Sequence, residues 1–98
     1  MYTWQDKVVF LTGASSGIGE GLALAMAKKG AVLALVARRK ELLDDLAERC
    51  RTLGTHARVC AIDVADEAAV AGAADEMRSE FGRIDILVNN AATNIAQE

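Results

Sequence analysis

The sequence predicts an α/β fold in which four parallel strands and three connecting helices form a doubly wound sheet. Two observations support this prediction. Short, continuous apolar runs alternate along the chain with stretches of helical periodicity. Glycines mark most of the junctions between them, and the first strand-to-helix junction is especially rich in glycine. We expect right-handed crossovers, and the doubly wound topology predicts the strand order 3-2-1-4 and a ligand crevice where strands 1 and 4 diverge.

The first strand and the first helix flank the glycine-rich junction. Val8 to Leu11 is short, apolar and partly β-branched, which is typical of a buried strand. The chain then turns at Thr12 and Gly13, and the spacing predicts a helix from about Gly17 to Lys29. Its expected apolar stripe consists of Ile18, Leu22, Ala25 and Met26.

The second strand and second helix follow Gly30, which ends the first helix. Ala31 to Ala37 is continuously apolar, as expected for a parallel strand that is buried on both faces. A second helix is predicted from about Arg39 to Leu53. Its expected inner face consists of Leu42, Leu43, Leu46, Ala47, Cys50 and Leu53.

The last three elements complete the alternation. A third strand is predicted from Ala57 to Ile62 and a fourth from Ile84 to Asn89. Between them, acidic residues at 66 and 67 favour the start of a third helix, because the helix dipole stabilises negative charge there. Gly82 ends this helix. Its expected inner face consists of Val70, Ala73, Ala74, Met77 and Phe81.

Composition and charge narrow the function classes. The 98 residues suit one domain, with 52% hydrophobic residues, 26% charged residues and a net charge of −3. The sequence contains no block of basic residues that would indicate binding to nucleic acid or to a membrane surface. It also contains no apolar run that approaches the roughly 20 residues of a membrane span. The polar N-terminus favours a cytoplasmic protein. Cys50 and Cys60 lack metal-ligand spacing and are interpreted as small apolar residues, while His56 is expected at the surface.

The glycine-rich junction has the pattern T-G-x-x-x-G-x-G, formed by Thr12, Gly13, Gly17 and Gly19. A helix N-terminus carries unpaired N–H groups and about half a positive charge, so this junction predicts a phosphate-binding loop. The G-x-x-x-x-G-K-[ST] pattern does not fit, because Ile18 stands where glycine is needed. The G-x-G-x-x-G pattern does not fit either, because Leu22 stands at its last glycine. A glycine-rich turn that binds nothing stays open as the alternative.

Together with segments after the second, third and fourth strands, this motif resembles that of the short-chain dehydrogenase/reductase family. The resemblance extends from about Lys7 to Ala91 and implies a Rossmann-type fold with NAD or NADP as cofactor. It also implies hydride transfer between a carbonyl and an alcohol. We therefore expect residues 1–98 to be one partial NAD(P)-binding domain. The loop residues that would bind the cofactor are Gly13, Ala14, Ser15, Ser16, Gly17, Ile18 and Gly19.

The end of the second strand predicts which cofactor is bound. A carboxylate there would accept a hydrogen bond from the ribose 2′-hydroxyl of NAD, whereas an arginine accommodates the 2′-phosphate of NADP. This chain has Arg38 and Arg39, with no carboxylate before Glu41. NADP is therefore expected rather than NAD. The alternative is that both arginines simply form the solvated start of the second helix.

The resemblance also assigns residues after the third and fourth strands. Asp63 would accept from the adenine amino group and Val64 would contribute to that pocket, although Asp63 could instead serve the start of the third helix. Asn89 would brace the sheet, Asn90 would line the cofactor's ribose, and Ala91 is a further expected cofactor-binding residue. The family has glycine at the next position, where this chain has alanine, a departure that bears on the placement of the nicotinamide and not on binding of the adenosine.

The family's catalytic residues are absent from this sequence. The family uses a serine, a tyrosine and a lysine four residues after the tyrosine, because nearby positive charge stabilises the tyrosinate. The only tyrosine here is Tyr2, and Asp6 stands four residues later. We therefore predict no catalytic residue and no metal site, and we interpret the chain as the cofactor-binding half of an oxidoreductase.

Two alternatives to an oxidoreductase half stay open. One is a stand-alone nucleotide-binding or self-associating module without catalysis, with the apolar edge of the fourth strand pairing with a second copy. The other is a truncated product that folds poorly. The substrate cannot be deduced from these residues.

Overall fold

The computed structural model describes residues 3–90 and contains the seven predicted elements in the predicted order. The strands are β1 (Val8–Thr12), β2 (Val32–Ala37), β3 (Ala57–Ala61) and β4 (Ile86–Asn89). The helices are α1 (Gly17–Lys28), α2 (Lys40–Thr52) and α3 (Glu67–Phe81). All strands pair in parallel in the order β3-β2-β1-β4, which confirms the sequence prediction. No helix within these residues is long and apolar enough to cross a membrane.

The sheet has one apolar layer on each face, because β1 and β2 are buried on both sides. On one face, alternate strand residues such as Leu11 and Leu35 pack with Leu43 and Leu46 of α2 and with small residues of α1. On the other face, residues such as Phe10 and Val36 pack against Met77 of α3. Continuous burial explains why both strands are uninterrupted apolar runs rather than alternating ones.

The apolar stripe predicted for α1 is wrong, and the helix is rotated relative to that prediction. Of the four predicted residues only Met26 is buried, and the side chain of Ile18 is 73% exposed. The buried face consists instead of Gly19, Ala23, Met26 and Ala27. These mostly small residues allow the helix to pack close to the sheet, where a larger side chain would hold it away.

The predicted inner faces of the other two helices are largely confirmed. In α2, Leu43, Leu46, Ala47 and Cys50 are buried. Leu42 and Leu53 are exposed, because they lie at the border of the buried face and just beyond the last helical turn. In α3, Ala73 and Met77 are buried, and the other three predicted residues are partly buried against them. Both cysteines are also buried, as predicted, and burial raises the pKa of each thiol.

A charged cluster joins the beginnings of β1 and β4. The Asp85 carboxylate accepts a hydrogen bond from the Val8 backbone N–H at 2.8 Å and pairs with Arg83 Nε at 2.8 Å. Arg83 in turn donates to the backbone carbonyl of Asp6 at 3.0 Å. The Val8 hydrogen bond, with a smaller contribution from Arg83, lowers the pKa of Asp85 below its usual value. This carboxylate therefore stabilises the fold in its charged form.

As the pH falls, the Asp85→Asn variant is expected to lose less of its free energy of unfolding than the wild type does. A lowered folded-state pKa contributes stability that is complete above the unfolded-state pKa, about 3.9 for aspartate. That contribution is lost as the pH falls through the lowered folded-state value. Urea unfolding as a function of pH, with the wild type beside Asp85→Asn, measures the difference. Asp75→Asn controls for the change in net charge, and equal acid slopes for the wild type and Asp85→Asn would contradict the assignment.

Candidate functional site

A cleft of about 410 Å³ opens at the carboxyl ends of β1, β2 and β3. The connections that follow these three strands form its walls. In a parallel sheet this edge is where ligands bind. The lining residues are Gly13, Ser15, Ala37, Arg38, Arg39, Asp63, Val64 and Ala65.

The loop between β1 and α1 is held in one conformation by its own hydrogen bonds. Gly13 has a left-handed φ of 68°, which favours glycine. Ser16 is the N-cap of α1: its Oγ accepts from the Gly19 N–H at 3.0 Å and donates to the Gly13 carbonyl at 2.9 Å. Asn90 Nδ2 donates to the same carbonyl at 3.1 Å and to Ser16 Oγ at 3.0 Å. The loop is therefore fastened from both its own helix and the end of β4.

Two backbone amides at the start of α1 are available to an anion. The Gly19 and Glu20 N–H groups bond to Ser16, whereas those of Gly17 and Ile18 have no acceptor within the described part of the chain. A Cβ added at Gly17 would meet no atom within 4 Å apart from those of its chain neighbours and its own helix backbone, so the space beside these amides is open. Unpaired amides and the positive end of the helix dipole form an anion seat that a phosphate fits.

The end of β2 supplies two arginines with different surroundings. Arg39 pairs through Nε with Glu41 at 3.2 Å, and both side chains are exposed. The Arg38 side chain has no hydrogen bond or ion pair within residues 3–90. Both residues line the cleft. Arg38 is therefore the guanidinium that can bind an anionic group without first breaking an ion pair.

The end of β3 supplies the opposite wall. Asp63 Oδ1 accepts from the Ala65 N–H at 2.9 Å, and the Asp63 carbonyl accepts from the Asp66 N–H at 2.9 Å. The N-cap of α3 is Asp66, whose carboxylate accepts from Ala69 N–H at 3.1 Å. Asp63 thus shapes the turn before the helix, while Val64 exposes 37% of its surface. Both line the cleft, and their contact with the adenine stays a prediction.

The remaining predicted site residues occupy different places. Ala14 is fully buried and its N–H donates to the Val36 carbonyl at 3.2 Å, so it fastens the loop to β2 rather than lining the cleft. Asn89 Oδ1 accepts from Thr12 Oγ1 at 3.1 Å, which ties β4 to β1 as expected of a bracing residue. Ala91 lies outside the described residues.

Two features of the site were missed in the sequence. Ala37 and Ala65 line the cleft, although alanine carries no chemical signal that could have indicated this. Asn90 was expected to line a ribose, yet its side-chain amide also fastens the glycine loop from 77 residues away. Spacing along the chain cannot reveal such a bond. Residues 3–90 contain no group of three or more His, Cys, Asp or Glu side chains placed to hold a metal.

Comparison with known proteins identifies relatives over nearly the whole chain. The family model for short chain dehydrogenase matches residues 7–98. The 11-beta-hydroxysteroid dehydrogenase A of Sesamum indicum is 50% identical over 86 residues, which are 87% of this chain and 25% of the relative. The chain thus spans about a quarter of the length of such curated relatives.

Solved structures show the same architecture. The L-sorbose reductase of Gluconobacter frateurii, complexed with NADPH and L-sorbose, matches with a TM-score of 0.87 and 39% identity. That match covers 98% of this chain and 37% of the reductase. An NAD+-bound xylitol dehydrogenase matches with a TM-score of 0.83 and 36% identity, over 88% of this chain and 33% of the dehydrogenase. Proteins similar to this chain therefore include holders of either dinucleotide.

Proposed function

This chain belongs to the short-chain dehydrogenase/reductase family, and we propose that it binds NADP(H) as the cofactor-binding part of an oxidoreductase. The whole protein would act on a carbonyl/alcohol pair, with the bound nicotinamide supplying or accepting the hydride. The observation that carries the proposal is one cleft lined both by the glycine loop, at Gly13 and Ser15, and by Arg38, which has no partner within residues 3–90. A cytoplasmic location stays a prediction.

The preference for NADP over NAD depends on Arg38. A planar guanidinium can offer paired donors to the oxygens of a 2′-phosphate. The first carboxylate after β2 is Glu41, which already pairs with Arg39. No acidic side chain therefore stands directly after the strand to accept from the free 2′-hydroxyl of NAD. One similar structure contains NADPH and another contains NAD+, so the preference for NADP is inferred from the residues of this chain alone.

Each of the residues described above would bind a different part of the cofactor. Gly17 and Ile18 would bind the pyrophosphate, Arg38 the 2′-phosphate, and Val64 the adenine. Asn90 would position the glycine loop. No Tyr-x-x-x-Lys segment occurs in the 98 residues, so we propose that this chain binds cofactor without turning over substrate.

Thermal unfolding with added dinucleotide tests this function. A ligand that binds only the folded state at 100 times its Kd stabilises it by about 2.7 kcal/mol. We expect NADPH to raise the melting temperature and NADH to raise it less at the same concentration. Equal shifts would contradict the NADP preference, and no shift with either would contradict cofactor binding. Stereospecific ketone reduction by this chain would contradict its catalytic incompleteness.

The contrast between the two sheet edges favours a second candidate function, self-association. At β3, Arg51 Nη2 donates to the Ala57 carbonyl at 2.8 Å, and Arg58 pairs with Glu76 and Glu80. Such charged side chains protect an edge from pairing. At β4 the Leu87 side chain is 66% exposed, and no strand within residues 3–90 pairs with the outer edge.

We propose that the outer edge of β4 pairs with the same edge of a second copy. The Asp85 N–H donates to the Val8 carbonyl at 2.9 Å, so alternation along the strand directs the backbone groups of Ile86 and Val88 away from β1. In an antiparallel pair, Ile86 of one copy would bond to Val88 of the other. Leu87 would then face Leu87 across the two-fold axis and be covered.

Replacing Leu87 with lysine is therefore expected to shift the chain toward monomer, because like charges would face each other across the axis. Sedimentation velocity over a range of concentrations measures the change. Leu53→Lys is the matched control, since it charges an exposed leucine outside β4 and should leave association unchanged. A wild-type monomer at every concentration would contradict the proposed pairing.

A further inference from the structure

We infer that a second cavity, at the opposite end of the sheet from the cofactor cleft, binds a small carboxylate that carries one aromatic ring. The cavity has a volume of about 270 Å³ and opens at the amino end of β3, between the ends of α2 and α3. We call it the β3 notch. Its side chains are those of Arg51, His56, Arg58, Val59, Glu80 and Phe81. The notch shares no lining residue with the cofactor cleft, so this inference does not depend on cofactor binding.

The outer edge of β3 directs hydrogen-bond donors into the notch. The His56 carbonyl accepts from the Leu33 N–H of β2 at 3.0 Å. Alternation along the strand therefore directs the backbone groups of Ala57 and Val59 away from β2. The Ala57 carbonyl accepts from Arg51 Nη2 at 2.8 Å, whereas the Val59 N–H has no acceptor within residues 3–90. The Arg51 guanidinium and the Val59 N–H are thus two donors at successive positions of the same edge.

Arg51 is the cation of the notch that keeps donors for a ligand. A guanidinium has five N–H donors, and the bond to the Ala57 carbonyl uses one of them. Its ion pair with Glu48 is 3.8 Å long and partly exposed, so it holds the guanidinium only weakly. Arg58, in contrast, pairs with both Glu76 and Glu80. The charge of Arg58 is therefore matched within the protein, and that of Arg51 is available.

These donors fit a carboxylate better than a phosphate. The two oxygens of a carboxylate can accept from a guanidinium and from a backbone N–H at once. The carboxylates of Glu48 and Glu80 lie near the same donors, and they would repel a dianion more strongly than a monoanion. A single negative charge is therefore favoured.

The apolar wall of the notch fits a flat ring. The rings of His56 and Phe81 lie with their centroids 6.1 Å apart and their planes tilted by 45°. Aromatic rings attract one another in such tilted arrangements, so an aromatic ligand can pack against Phe81. The volume is below the roughly 300–1,000 Å³ of sites that hold drug-sized ligands, which favours a ligand with one ring.

Titration with benzoate and with benzamide tests this inference, because the two probes share the ring and differ in the charge. Amide NMR spectra of the isotope-labelled chain report binding at the Val59 N–H and show that the protein is folded. We expect a saturable shift of the Val59 signal with benzoate, and at least about tenfold weaker binding of benzamide. Arg51→Gln should weaken benzoate binding about tenfold. Arg51→Lys keeps the charge without the planar fork and should lose less.

Arg78→Gln is the matched control, since it removes an exposed arginine of α3 outside the notch and should bind benzoate as the wild type does. No saturable shift at Val59 with benzoate would overturn the inference. Equal affinities for benzoate and benzamide would overturn it too, as would equal benzoate affinities of the wild type and Arg51→Gln. Each of these results would leave the proposed NADPH binding untouched, because that cleft lies at the carboxyl ends of the strands.

Discussion

The Arg38→Asp variant is expected to bind NADPH at least about tenfold more weakly than the wild type. Hydrogen bonds to charged groups contribute about 1.5–3 kcal/mol, and 1.4 kcal/mol corresponds to tenfold in affinity. The substitution removes those bonds and places a carboxylate where the 2′-phosphate would lie. Because Arg38 has no partner within the described residues, its loss leaves no broken ion pair to complicate the result.

The same substitution should preserve or improve NADH binding, since a carboxylate after β2 can accept from the 2′-hydroxyl. Fluorescence titration of both reduced dinucleotides measures the two affinities. Arg39→Asp is the control: its guanidinium already pairs with Glu41, so a smaller loss of NADPH affinity is expected. Equal affinity of the wild type and Arg38→Asp for NADPH would show that Arg38 is only a solvated residue before α2.

The Gly19→Ala variant is expected to lose both stability and cofactor binding. A Cβ there would overlap the Gly13 carbonyl oxygen and lie 2.9 Å from Ala14 Cα. Both are backbone atoms, so neither can move away by a side-chain rotation. Overpacking of this kind costs about 1–3 kcal/mol or more. Relief requires α1 to move away from the loop, which would break the N-cap bond between Gly19 and Ser16.

Two other glycines provide matched controls for Gly19→Ala. Gly17→Ala should fold normally, because its Cβ would enter open space, yet bind NADPH more weakly because that space adjoins the anion seat. Gly72→Ala should gain up to about 1 kcal/mol of stability, as alanine favours a helix interior. Nothing in the structure explains a glycine at 72. Urea unfolding measures the stability of the three variants, and NADPH titration measures their affinity. Equal stability and equal NADPH affinity of Gly19→Ala and Gly72→Ala would contradict this account.

The fold could be predicted from the sequence because each buried strand of a parallel sheet leaves an apolar run, as in β1 and β2. The buried face of α1 could not. Periodicity detects an apolar stripe, but α1 turns its small residues inward and leaves Ile18 exposed. Close packing against a backbone favours small side chains, which hydropathy alone ranks below larger ones.

The site was predicted where a residue's position at a strand end determines its location. Arg38 and Asp63 follow β2 and β3, and both line the cleft. The hydrogen bonds of Ser16 could not all be predicted, since one of them comes from Asn90, which lies in a distant part of the chain. Nor could the sequence show that Arg39, but not Arg38, is paired with Glu41.

The most direct measurement of the central claim is calorimetric titration of the folded wild-type chain with NADPH and, in parallel, with NADH. We expect saturable binding of one NADPH per chain and weaker binding of NADH, because the anion seat serves both dinucleotides whereas Arg38 serves only the one with a 2′-phosphate. Absence of saturable heat with NADPH, from protein shown to be folded by circular dichroism, would contradict the claim that this cleft holds a dinucleotide.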